Sequence, residues 1–136
     1  MISYVTYLWI AFGSAIGGVS RFGCSRWVAM AFGETFPWGT LVVNVVGCFV
    51  IGIFATLTGP DGRLIIAPNI RQFVLVGFCG GYTTFSSFAL QTLDLIRNRD
   101  FSEASTNVLL SVVLCMISVW LGYLLASLLN GVRAVP

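Results

Sequence analysis

The chain has 136 residues, 57% of them hydrophobic and only 9% charged, with a net charge of +2 and no histidine. Soluble domains carry about a quarter charged residues, so this composition describes a single integral membrane domain with no length left for a soluble one. No basic tract exists to hold nucleic acid, and the four cysteines form no Cys-x-x-Cys pair, which argues against zinc and haem sites.

A membrane-spanning helix needs about 20 apolar residues. Four stretches qualify: residues 4–32, 38–57, 70–96 and 104–129. The expected fold is therefore all-α with four transmembrane helices. Cys24, Cys48, Cys79 and Cys115 fall one in or near each stretch, where they read as small buried hydrophobes. Met1 to Tyr7 contain no Lys or Arg, so the first stretch reads as a retained span rather than a cleaved signal. Its apolar run ends at Arg21 and Arg26. Gly13-x-x-x-Gly17 offers a small-residue face for close helix contact. Arg21 either snorkels to the headgroups or attracts anions to a pore mouth.

The second span opens with Pro37-Trp38, a helix-start proline and an interfacial tryptophan. Asn44 lies well inside it. An amide in lipid is costly, so it faces protein or water. It serves either as an interhelical hydrogen-bonding group or as an N–H donor toward an anion. Thr58-Gly59-Pro60-Asp61-Gly62 then reads as a turn.

The third span carries Gly77-Phe78-Cys79-Gly80-Gly81-Tyr82-Thr83-Thr84-Phe85-Ser86-Ser87-Phe88 at its centre. Glycine is a weak helix former, and Thr and Ser compete for backbone hydrogen bonds. The stretch from Gly80 to Thr84 is therefore read as a break near the middle of a membrane helix. Freed backbone groups at that depth need protein, water or an ion. Close helix packing is the alternative use of the small residues. Phe85 and Phe88, three apart, share a face. They either pack or turn electropositive ring edges toward an anion. In the fourth span Asn107, Ser111 and Cys115 recur every four residues, and Ser118 follows at three. This stripe suits a wet pathway or a polar helix contact.

The seven arginines are split almost evenly by four spans: Arg63, Arg71 and Arg133 on one side, Arg21, Arg26, Arg97 and Arg99 on the other. Orientation follows Lys/Arg imbalance, so the chain is expected to insert both ways and to work as an antiparallel homodimer. Two broken helices would then meet near the midplane, with carbonyls converging on one structural cation. The acids Glu34, Asp61, Asp94, Asp100 and Glu103 lie in loops or at span ends. A proton-coupled cation exporter needs an acid at membrane depth. Nothing supports catalysis.

Gly39-Thr40-Leu41-Val42-Val43-Asn44 with Gly47, the third-span motif from Gly77 to Phe88, and Gly17-Gly18-Val19-Ser20-Arg21 together resemble the Fluc fluoride channels, also called the CrcB family. The resemblance covers all four spans. It implies an antiparallel, dual-topology dimer with two fluoride pores in the inner membrane, exporting fluoride passively. It also implies a structural Na⁺ held at the dimer centre by the backbone carbonyls of Gly80 and Thr83. The implied pore residues are Asn44, Phe85 and Phe88, the hydroxyls of Thr84, Ser86 and Ser87, and a fourth-span track of Asn107, Ser111 and Cys115. The chain departs from the family pattern at Gln91, where an acid is usual, and at Cys115, often a serine. The alternative function is a small multidrug-type dual-topology transporter, which the missing intramembrane acid disfavours.

Overall fold

The computed structural model describes residues 4–131; Met1 and Arg133, used above, lie outside the described residues. Every element among them is helical. Helix α1 spans Tyr4–Phe32 and α2 spans Trp38–Leu57. Residues 68–82, here α3, join a short α-helix, Pro68–Gln72, to a π-helix, Phe73–Cys79, and a last α turn, Gly80–Tyr82. Helix α4 spans Phe85–Arg97 and α5 spans Phe101–Gly131.

The helix ends follow from local chemistry. Gly33, at φ 87°, closes α1 in the left-handed region, with its N–H donating to the Ala29 carbonyl at 2.9 Å. Pro68 starts α3 at a position that needs no N–H donor. At the end of α4, Arg99 takes φ 67°; its N–H donates to the Ile96 carbonyl at 3.0 Å and that of Asp100 to the Leu95 carbonyl at 2.9 Å. This paired closure lets α5 turn back on α4 within three residues.

By length and composition, α2, the 68–97 segment and α5 can each cross a membrane. Helix α1 is not among these. Its tyrosines, glycines and Arg21 dilute the apolar run, so three of the four expected spans are long and apolar enough to cross by this measure. Apolar side chains face outward along much of the surface; Leu109, Met116 and Leu128 on α5 are each more than half exposed. Such a surface belongs in lipid or against another chain, not in water.

Glycines set the helix spacing. A Cβ on Gly52 would strike the Val119 carbonyl of α5, and one on Gly122 would strike the Phe49 carbonyl of α2. Across α1 and α3, a Cβ on Gly13 would lie 2.5 Å from the Phe73 carbonyl oxygen. One on Gly81 would lie 2.6 Å from that of Ser14. Backbone therefore packs on backbone at both contacts, without the bulk of side chains.

Gly52→Val should cost about 1–3 kcal/mol through overpacking and lower the melting temperature of the purified protein in detergent. Gly18→Ala, where an added Cβ meets nothing within 4 Å, should leave it unchanged. Equal melting of the two variants would show that the contact does not set the spacing.

Candidate functional site

Helical geometry ends at Tyr82 and resumes at Phe85. Thr83 (φ −82°, ψ 159°) and Thr84 (φ −153°, ψ 112°) are extended. The sequence points to a broader interval, starting at Gly80, but Gly80 and Gly81 stay helical. Gly81 lies where α1 approaches, so its lack of a side chain serves packing. Ahead of the interval the backbone widens into the π-helix, which no residue of the sequence announces.

Most of the groups freed at the interval find a partner within the chain. The Thr83 N–H and its Oγ1 both donate to the Cys79 carbonyl, each at 2.9 Å. Asn44 of α2 brackets Thr84: the Thr84 N–H donates to Asn44 Oδ1 at 2.8 Å, and Asn44 Nδ2 donates to the Thr84 carbonyl at 3.0 Å. Thr84 Oγ1 then caps α4, accepting the Ser87 N–H at 3.2 Å and donating to Ser87 Oγ at 3.0 Å. Ser86 Oγ lies 3.3 Å from the same hydroxyl. Asn44 thus acts first on the backbone, and one of its two amide hydrogens remains uncommitted by these bonds.

The Phe85 and Phe88 rings touch, with centroids 5.3 Å apart at 52°. Phe85 is 78% exposed. A cavity of about 290 Å³ opens beside the interval, lined in part by Arg21, Ser25, Thr40, Thr84, Ser87 and Gln91. Arg21 Nη1 donates to the Thr83 carbonyl at 3.4 Å. A second cavity, about 340 Å³, adds Arg26 and Glu34 and shares Ser25, Thr40 and Gln91 with the first. Gln91 Oε1 is buried with no hydrogen-bond partner among the described residues. The site therefore combines hydroxyls, amides and a guanidinium, with no carboxylate in the first cavity. Such a lining is suited to a small anion.

The fourth-span residues form a separate network. Asn107 is 2% exposed and donates through Nδ2 to Thr92 Oγ1 at 2.9 Å; Thr92 donates to the Phe88 carbonyl at 2.8 Å. Ser111 Oγ reaches Asn107 Oδ1 at 3.5 Å. The network ends on the backbone of Phe88 and so joins α5 to the site through Thr92. Ser118 instead donates to the Val45 carbonyl of α2 at 2.7 Å. The stripe is thus divided between contacts to α4 and to α2, and no hydrogen bond ties Cys115 to Asn107 or Ser111. Thr92 and Ser25 are not marked by the sequence, and Thr40 enters there only as part of the second-span motif, with no role of its own. Thr92 stands four residues after Phe88, the one spacing signal it offers; Ser25 offers none.

For a cation, the structure frees the Gly80 carbonyl. In a continuous helix it would accept from the Thr84 N–H, which here goes to Asn44. Gly80 is exposed, with open space around the position of a Cβ. Hard oxygen donors of this kind fit an alkali cation. The Thr83 carbonyl fits less freely, since Arg21 already reaches it.

A family model described as CrcB-like protein, Camphor Resistance (CrcB), matches residues 8–123. The "Fluoride-specific ion channel FluC" of Opitutus terrae is 57% identical over 127 residues, 93% of this chain and 96% of that protein. Proteins of the same name from Rhodospirillum rubrum and Methylocella silvestris are 56% and 50% identical, over 93% of this chain in each case. These relatives are named ion channels, so the chain falls in a non-enzyme family. With the match running through α1, the interrupted α3–α4 and most of α5, the chain belongs to the CrcB family.

Proposed function

We propose that the chain is a fluoride-selective passive channel of the inner membrane that lets cytoplasmic fluoride leave and so limits its toxicity. The observation that carries this reading is the 57% identity, along 93% of the chain, to a protein named a fluoride-specific ion channel. The multidrug-type alternative draws no support, because the relatives are channels.

Fluoride is small and tightly hydrated, so removal of its water dominates the cost of passage. The groups gathered at the interval can replace that water. Arg21 raises the local positive potential in the cavity. The remaining Asn44 amide hydrogen and the hydroxyls of Thr84, Ser86 and Ser87 donate in succession. Phe85 and Phe88 offer ring edges along a narrow anhydrous section, and Ser111 and Asn107 steady that section through Thr92. An inside-negative potential favours anion exit by about 2.3 kcal/mol per 100 mV, so no coupled energy source is required.

The unit of function is an antiparallel homodimer of dual topology. The exposed Gly80 and Phe85 support this reading, since a second copy meeting there would cover both. The carbonyls of Gly80 and Thr83 would hold a structural Na⁺ at that contact. When bound, the ion neutralises freed backbone oxygens and adds positive potential beside the pores.

Liposomes holding only the purified chain and loaded with potassium fluoride should release fluoride to an electrode once valinomycin is added, without a proton gradient and without releasing chloride. Phe85→Ile or Phe88→Ile should cut that rate at least tenfold while the protein remains folded; full rates in both variants would remove the ring-edge role. Asn44→Leu keeps the shape but leaves two Thr84 backbone groups unpaired, at about 1–3 kcal/mol each. It should lower both the melting temperature and the efflux rate, whereas unchanged melting would deny the bracket its structural role. On assembly, replacing Na⁺ by a large organic cation should lower the dimer's melting temperature, and a cysteine introduced at Asp61 should be labelled from both membrane faces. Labelling from one face only would rule out dual topology.

A further inference from the structure

The loop between α2 and α3 carries the run Leu64-Ile65-Ile66. Ile65 is 96% exposed and Leu64 42%, yet the loop is tied down on both sides. A Cβ on Gly62 would strike the Leu57 carbonyl at the end of α2. The Leu64 N–H donates to that same carbonyl at 2.9 Å, and the Gly62 N–H to the Gly59 carbonyl at 2.9 Å. Toward α5, the Arg63 N–H donates to Asn130 Oδ1 at 3.0 Å, and Arg63 Nη1 to the Leu129 carbonyl at 3.2 Å. Asn130 Nδ2 reaches back to the Thr56 carbonyl at 3.4 Å. Polar groups of the loop are thus turned onto the ends of α2 and α5, while Ile65 stands away from the protein.

Depth follows from length. Helix α2 has 20 residues, about 30 Å at about 1.5 Å each, which matches the hydrocarbon thickness of a bilayer. Its last residue, Leu57, therefore lies at the hydrocarbon edge, and the bond from Leu64 holds the loop at that level. The apolar surface of α5 continues to the same level, with Leu128 70% exposed beside the Leu129 carbonyl that Arg63 reaches. Arg71 stands there too, its Nε donating to Thr58 Oγ1 at 3.3 Å. Two guanidinium groups therefore flank an apolar tip at the depth where phosphates meet acyl chains. We propose that this loop is a lipid anchor. Leu64 and Ile65 insert among the acyl chains of one leaflet, and Arg63 and Arg71 meet phospholipid phosphates above them.

The test replaces Ile65 by photoreactive p-benzoylphenylalanine in the full chain, held in liposomes of phosphatidylcholine and phosphatidylglycerol. Products are read by intact mass after irradiation. The expected result is a protomer carrying one phospholipid, with at least tenfold fewer adducts when the same group replaces Asp61 of the adjoining turn. Chain-to-chain adducts in place of lipid would show that a second copy covers the loop and would overturn the proposal. So would equal lipid adducts at the two positions, or none at Ile65. The phosphate contact is read by native mass spectrometry of the chain released from detergent containing phosphatidylglycerol. Arg71 is varied because Arg63 also secures the end of α5. Arg71→Gln should retain at least threefold less lipid, and Arg71→Lys, which keeps the charge, should restore it. Equal retention in Arg71→Gln and the unaltered chain would overturn the phosphate contact.

Discussion

The bracket that Asn44 places on Thr84 is the interaction on which the rest depends. Two extended residues inside a membrane-depth helix release several N–H and carbonyl groups, and lipid offers them nothing. Asn44 takes one N–H and one carbonyl of the same residue, through separate amide atoms. Thr83 returns two donors to Cys79, and Thr84 restarts the helix through its own hydroxyl. The interval is held by four side chains, Asn44, Thr83, Thr84 and Arg21, each bonded to backbone. Any group gathered there, from Arg21 to Ser87, has a defined position only because Thr84 does.

Glycine does a different job from the one its low helix propensity suggests. Gly80 and Gly81 cost the helix about 1 kcal/mol each relative to alanine, yet the helix continues through them. Nothing packed against Gly80 within the chain requires a glycine there, while contact with α1 explains Gly81. The same holds for Gly13, Gly52 and Gly122, each lying against a neighbouring backbone. On the face of α2 that meets the interval, a Cβ on Gly47 would strike the Thr83 side chain, so a small residue there lets Asn44 reach Thr84.

Much of this was legible beforehand. Apolar length marks the helices, the run from Gly80 to Thr84 marks an interruption that the structure narrows to Thr83 and Thr84, and the isolated Asn44 marks a polar partner for something buried. Composition could not show which of its readings applied to Asn44, because only the path of the neighbouring backbone decides that. The stripe on α5 looked like one track and is two contacts, since Ser118 turns to α2 while Asn107 turns to α4. Gln91, with its unpartnered oxygen between two cavities, stands out in sequence only by contrast with the family pattern.

The π-helical Phe73–Cys79 segment has a consequence for how this chain can vary. A π turn takes up more residues than an α turn for a similar sweep, so the segment acts as a phase setter for all that follows. Losing one residue there would rotate the downstream chain by about 100° and swing Thr84 out of register with α2. A change of length within 73–79 cannot be absorbed locally. The count of residues before the interval is therefore as much a determinant of the site as the residues within it.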